Sequence, residues 1–204
     1  MGRDLFADAR IFAQHIVIAL DCINECKAMN QIFGEEKLTD LYKTAPVFFK
    51  TAYQAMRFRY QIETVTLFDN KGCNFDEFKN SVSKKKLISP QYIEHYRQCR
   101  KIAEGELNNL HSRRNKVLAH SDREFFSTPD IFIEENPVDV QKIKALLLSM
   151  LKICNAVILH CTENGSAQLH STAFGDDFVK LIGRKTEADI IADNFLSQMR
   201  GDTP

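Results

Sequence analysis

Several kinds of chemistry are excluded by what this chain lacks. Its 27 basic and 27 acidic side chains cancel to a formal net charge of zero. No global positive field therefore gathers nucleic acid non-specifically, and any RNA or DNA contact has to come from a local patch. The six cysteines (Cys22, Cys26, Cys73, Cys99, Cys154 and Cys161) include no CxxC pair. His160 and Cys161 taken with Cys22 and Cys26 match no closed zinc ligand set, so core packing is the expected role of these thiols. There is no HExxH, no ExxH pair for a di-iron bundle, no glycine-rich phosphate loop and no GxSxG nucleophile elbow. Neither a resident metal nor a cofactor is expected. No uninterrupted apolar run approaches the ~20 residues of a membrane span, and the N-terminus does not read as a signal peptide. The expectation is a soluble, cytoplasmic protein with reduced thiols and no membrane partner.

No convincing strand, internal repeat or low-complexity segment is found; what is there is helical periodicity. From Asp4 to Phe33 apolar or small residues recur at three- and four-residue steps: Leu5, Ala9, Phe12, Ile16, Ala19, Ile23, Cys26 and Phe33. Gly34 supplies a stop. A second helical region, Glu36 to about Phe68, is expected to break or kink near Pro46, because proline lacks the amide donor. Beyond it, Val47-Phe48-Phe49, Ala52-Tyr53, Ala55-Met56, Phe58 and Tyr60 leave little polar face, which places this helix centrally or in a subunit interface. Arg57, Arg59 and Glu63 need partners if they are buried. Asp69-Asn70-Lys71-Gly72 reads as a turn, and Phe75 to Lys86 as a short helix whose terminal lysines suit its C-terminal dipole.

Ser89-Pro90 is a helix start, an N-cap residue followed by proline at the first helical position. That helix is expected to reach about His120, with the row Tyr92, Tyr96, Cys99, Ala103, Leu110 and Val117. The same spacing also picks out Glu106, Arg113 and His120, three ionisable residues on a face that is otherwise core. Asn136-Pro137 opens another helix, with the row Val140, Ile143, Leu147, Met150, Cys154, Val157 and Cys161. Apolar Phe178, Leu181, Ile190 and Phe195 mark helices in the tail. The fold class expected is all-α: an up-and-down bundle of four long helices plus short accessory and C-terminal helices. Residues 1–165 form the bundle, and residues 166–204 a helical extension packed on it or on a dimer interface.

The stretch from Leu110 to Asp122 crowds Arg113, Arg114, Asn115, Lys116, His120 and Asp122 into one place. Arginine offers a fixed cationic fork suited to phosphate oxygens, and histidine can take or give a proton near neutrality. Asparagine can orient either one, and Asp122 can fix a histidine tautomer or cap the loop. These residue types supply what RNA cleavage needs without a metal: a base for the 2′-hydroxyl, an acid for the leaving oxygen and a cation for the phosphorus oxygens. On a straight helix, however, Arg114 and His120 diverge by about 120°, whereas Arg113 lies nearly over the histidine. Either the helix ends within the motif, or Arg113 shares the role, or two chains face one cleft. The last accounts best for charge on an apolar face.

The run Arg114-Asn115-Lys116-Val117-Leu118-Ala119-His120 resembles the motif of HEPN domains: arginine, usually a polar residue next, then a histidine four to six residues after the arginine. Extended through Ser121-Asp122, it looks most like the AbiU branch, linked to bacterial abortive infection. Phe48-Phe49-Lys50-Thr51-Ala52-Tyr53, on through Ile62 to Leu67-Phe68-Asp69, is similar to the helix that precedes the motif in that branch. The resemblance implies a helical bundle, a homodimer joined through the motif-bearing face and, often, metal-independent endoribonuclease activity leaving a 2′,3′-cyclic phosphate. It assigns Arg114 to phosphate stabilisation, His120 to proton transfer and Asn115 to positioning; Arg113 beside Arg114 leaves two candidates for the arginine, and Lys116 and Asp122 are read as supporting residues. RNA is then the substrate, and an antitoxin a partner in a toxin–antitoxin arrangement.

Members of this superfamily are not all catalytic, so a second reading stands beside the first: a helical module that binds a partner protein or nucleotide, its charged cluster a buried polar network. Taken singly, His120 at a helix C-terminus also fits a structural role, because the dipole there favours a cation.

Overall fold

A computed structural model describes residues 4–33, 43, 45–69, 74–119 and 136–161. Among these residues the secondary structure is entirely helical, in six helices: α1 (Leu5–Phe33), α2 (Pro46–Thr66), α3 (Phe75–Lys84), α4 (Pro90–Ile102), α5 (Glu104–Ala119) and α6 (Val140–Cys161). The expected helices of the tail, the stop at Gly34, the turn at Asn70–Gly72 and the boundary at residue 165 lie outside the described residues.

The long stripe of α1 is buried as its spacing predicts, from Leu5 and Ala9 through Ile16 to Cys26. Asp4 starts the helix, its carboxylate accepting from the amides of Phe6 and Ala7 at 3.1 Å each. Helix α2 runs antiparallel to it. His15 meets Glu63, and Cys26 meets the Tyr53 carbonyl, so residue numbers fall along one helix as they rise along the other. Glu63 is buried and fully occupied, with His15 Nδ1 at 2.5 Å and Arg59 Nε at 2.6 Å. An unpaired carboxylate there would cost several kcal/mol, on the order set by desolvation.

Pro46 is the first residue of α2 rather than a kink within a longer helix. Its missing amide is one of those left unpaired at any helix start. Nor is α2 central along its length. Its C-terminal half is buried at Tyr60, Thr64 and Val65, while Val47 is 77% and Phe48 64% exposed.

Asn74 caps α3 by accepting from the Glu77 amide at 2.9 Å. The helix then turns Phe75 and Phe78 into an aromatic cluster with Phe12 and Tyr96, ring centroids 5.2–5.6 Å apart. The Tyr96 hydroxyl donates to Asp76 at 2.9 Å, so the one polar atom of that cluster has a partner. Helix α6 packs on α1 and α4 and buries Ile143, Leu146, Leu147, Met150, Cys154 and Val157. It is long and apolar enough to cross a membrane, yet more than half of its most apolar window is buried in this bundle, as a core helix requires. Its cap is Asp139, which accepts from the Gln141 amide at 2.9 Å; Asn136 and Pro137 lead into it without being helical.

The expected helix from Ser89 to His120 is two helices. Ser89 caps the first, accepting from Gln91, but α4 ends at Ile102, and Ala103 has φ −92° and ψ 8°. Gly105 follows at once, and glycine holds a helix about 1 kcal/mol less well than alanine. The inward-facing row runs on through Ala103 and differs from the expected one at two positions. Ile93 is buried and Tyr92 exposed. After the break Leu107 enters the core, whereas Glu106 turns out to pair with Lys142 at 2.6 Å.

Candidate functional site

The phase of α5 decides where the motif residues go. The row Ala103, Leu107, Leu110 continues inward, and the next position on it is Arg113. Arg113 is thus carried into the bundle and is only 5% exposed. Its Nε donates to the carbonyl of Asn136 at 2.8 Å, tying α5 to the segment before α6. Asn109 makes a parallel tie, its amide donating to the Pro137 carbonyl at 2.6 Å. Burial lowers the Arg113 pKa below the ordinary guanidinium value; Tyr60 opposes this and the charge of Arg57 adds to it. A guanidinium stays charged under such shifts.

Arg114 is the next residue and is turned by about 100° around the helix. Its side chain is 23% exposed, and the guanidinium points to a different set of groups. Nη1 donates to Asp69 Oδ2 at 3.1 Å, and Nε and Nη2 fork onto Asn115 Oδ1 at 3.3 and 3.2 Å. Three of its five N–H donors are accounted for among the described residues, so two are left for a ligand. Asn115 thus meets the arginine through its carbonyl oxygen. His111, half-buried on the preceding turn, has its pKa lowered by burial and by Arg114, against Asp69, with Arg100 adding a smaller push downward.

The two arginines that the sequence left as alternatives are therefore separated: Arg113 faces the bundle interior, and Arg114 a partly exposed polar cluster. The backbone of Lys116 lies within α5. His120 and Asp122 lie outside the described residues, as does the side chain of Lys116. Two partners were not anticipated, Asp69 for Arg114 and Asn136 for Arg113; they lie 45 and 23 residues away. Among the described residues no cluster of three or more metal-ligating side chains occurs. Of the thiols considered for zinc, Cys22 is half-buried, Cys26 buried and Cys161 exposed. Burial pushes the Cys26 thiol up to about 11, as expected of a packing residue.

The model of a HEPN family, described as AbiU2, matches residues 10–181. The chain belongs to the AbiU2 family of HEPN domains. The match spans all six helices from the second turn of α1 onward, together with the whole Arg114–His120 motif. No curated protein and no solved structure gives a significant match. Family membership agrees with the all-α bundle, and the AbiU2 assignment agrees with the resemblance carried by Arg114 through Asp122.

Proposed function

We propose that this AbiU2-family HEPN domain is a metal-independent endoribonuclease of the defence or toxin type. The observation that carries the reading is Arg114. It is partly exposed, held by Asn115 and Asp69, and keeps donors for a phosphate. A guanidinium fixed in this way is poised to stabilise charge on phosphorus oxygens without reorganising. In the reaction the RNA 2′-hydroxyl attacks the adjacent phosphorus and the 5′-oxygen leaves. His120 transfers the protons and Arg114 stabilises the dianionic phosphorane. The product ends are a 2′,3′-cyclic phosphate and a 5′-hydroxyl. Asn115 positions Arg114, while Lys116 and Asp122 support phosphate and histidine.

The site is proposed to be composite, built by two copies of the chain. Supporting this are the exposed apolar side chains of α2, where Val47, Phe48 and Phe58 face solvent. The activity is placed in the cytoplasm, with an antitoxin as the restraining partner. A non-catalytic binding module is the second reading, and buried Arg113 favours it for that one residue: tied to a backbone carbonyl, Arg113 behaves as part of a structural network.

RNA cleavage by purified protein in excess EDTA tests the proposal, wild type beside His120→Ala and Arg114→Ala. Wild-type cutting that leaves cyclic phosphate ends and is lost in both variants is expected. Cutting that survives both substitutions would overturn the assignment, and a wild type that cuts no RNA from a broad pool would leave the binding module as the function.

A further inference from the structure

On the other side of Arg113 from the helix that carries it, a groove of about 480 Å³ opens between the C-terminal half of α1, the middle of α2 and the start of α6. Among the described residues that line it are four cations, Lys27, Arg57, Arg113 and Lys144, together with Tyr53 and Tyr60, and no aspartate or glutamate. In a chain whose 27 basic and 27 acidic side chains balance, that is a local segregation of charge. Lys27, Arg57 and Lys144 form no ion pair with a carboxylate among the described residues.

Lysines at a groove mouth are often only solvated ends, but packing fixes three of these four cations. Arg113 is almost fully buried. The Lys144 ammonium donates to Asn24 Oδ1 at 2.7 Å, and the Arg57 guanidinium lies over the Tyr53 ring, 5.6 Å from its centroid. Like charges held together in a partly enclosed space repel one another, and an anion between them removes that cost. A preformed cradle also spares a ligand the entropy of ordering long side chains. The volume is that of a small-molecule site, and the tyrosines give it an apolar wall beside the charge. Arg114 does not line the groove, and its partners Asp69 and Asn115 do not either.

We propose that this groove is a second site, distinct from the Arg114 cluster, which binds the phosphate group of a small phosphorylated molecule. Lys27, Arg57 and Lys144 hold the phosphate oxygens, and Tyr53 contacts the organic part. The proposal does not depend on the nuclease reading.

Titration calorimetry of the full chain with inorganic phosphate, adenosine monophosphate and adenosine tests it, alongside a Lys27→Glu, Lys144→Gln double variant. Lys27 is exposed and glutamine can still donate to Asn24, so the variant is expected to fold, and its melting temperature confirms that. Both phosphate probes are expected to bind, adenosine not. The variant should bind them at least about tenfold more weakly, the loss expected for one charge-assisted contact. The proposal is overturned if neither phosphate probe binds at millimolar concentration, if adenosine binds as well as its monophosphate, or if the double variant binds as the wild type does. Phosphate binding by Arg114→Ala protein separates the two sites: it persists even where cutting is lost.

Discussion

Arg113 and Arg114 are neighbours in the chain with identical side chains, yet they sit in opposite physical situations. The first is buried, donates to a backbone carbonyl and faces a groove of like charge; the second is partly exposed and shared between an aspartate and an asparagine. One residue's rotation about α5 makes the difference, and the buried row Ala103, Leu107, Leu110 sets which of the two faces inward. A buried hydrogen-bonded arginine is costly to remove because its partner is left unsatisfied, whereas a partly exposed ion pair contributes little to stability and remains available to a ligand. The sharpest test of this contrast is Arg114→Ala. Cutting should fall by about 10²–10³-fold, the usual cost of removing a preorganised donor to a developing oxyanion. Stability should fall by less than about 1 kcal/mol. A large drop in melting temperature with cutting retained would reverse the two roles.

Arg113→Ala is expected to show its effect in stability. The Asn136 carbonyl loses its donor and the packing around the side-chain stem is lost, which together cost about 1–3 kcal/mol. Urea denaturation of the variant beside wild type measures this. An unchanged midpoint would mean that the tie between α5 and the start of α6 contributes nothing, and the comparison would lose one of its sides.

Much of the scaffold could be read from the sequence because its signals are redundant. The stripe of α1 repeats over eight positions, and the row of α6 from Ile143 to Val157 is buried as spaced. Ser89-Pro90 combines a cap with a fixed φ. That Leu107 and not Glu106 turns inward was not legible, because three- and four-residue steps run through either as smoothly. A slip of one residue costs little local energy and is decided by which side chain can be buried. Pro46 gave a true signal of a lost donor, but the same signal fits a kink or a start, and the residues before it choose between them. At the site, the cluster from Arg113 to Asn115 was legible as a concentration of charge. Its partners were not, because Asp69 and Asn136 are brought in by tertiary packing. The groove cations are scattered over α1, α2, α5 and α6, so no motif gathers them.

His111 reports on the Arg114 side with a smaller effect. Burial and the Arg114 charge hold its pKa below the ordinary value of 6.5, so the folded state prefers the neutral ring. The unfolded chain therefore takes up a proton first as pH falls. The contribution of His111 to stability is fully present above about pH 6.5 and is lost as pH drops through the lowered folded value. Melting temperatures between pH 7 and pH 5 should fall more steeply for wild type than for His111→Gln. In an Arg114→Ala background the difference between the two should narrow, because one cause of the shift is gone. Equal slopes for wild type and His111→Gln would show that this ring does not sense the arginine.

The smallest effect expected is a gain, far from both faces of α5. Lys86 follows the last turn of α3 with φ 54°, in the left-handed region, while its amide donates to Ser83 and that of Leu87 to Val82. Helices commonly end this way on glycine, because a Cβ in that conformation costs about 1–2 kcal/mol. Glycine also has more freedom to lose from the unfolded chain, which offsets part of the gain, so Lys86→Gly should stabilise the fold by about 0.5–1 kcal/mol. It touches neither Arg113 nor Arg114, which makes it a background for the comparison. Introduced with Arg113→Ala, it should restore part of the lost stability additively, since distant sites with no shared partner act independently. Introduced with Arg114→Ala, it should leave the lost cutting lost. If the added stability were to restore cutting, Arg114 would be acting through the fold and not on the phosphate.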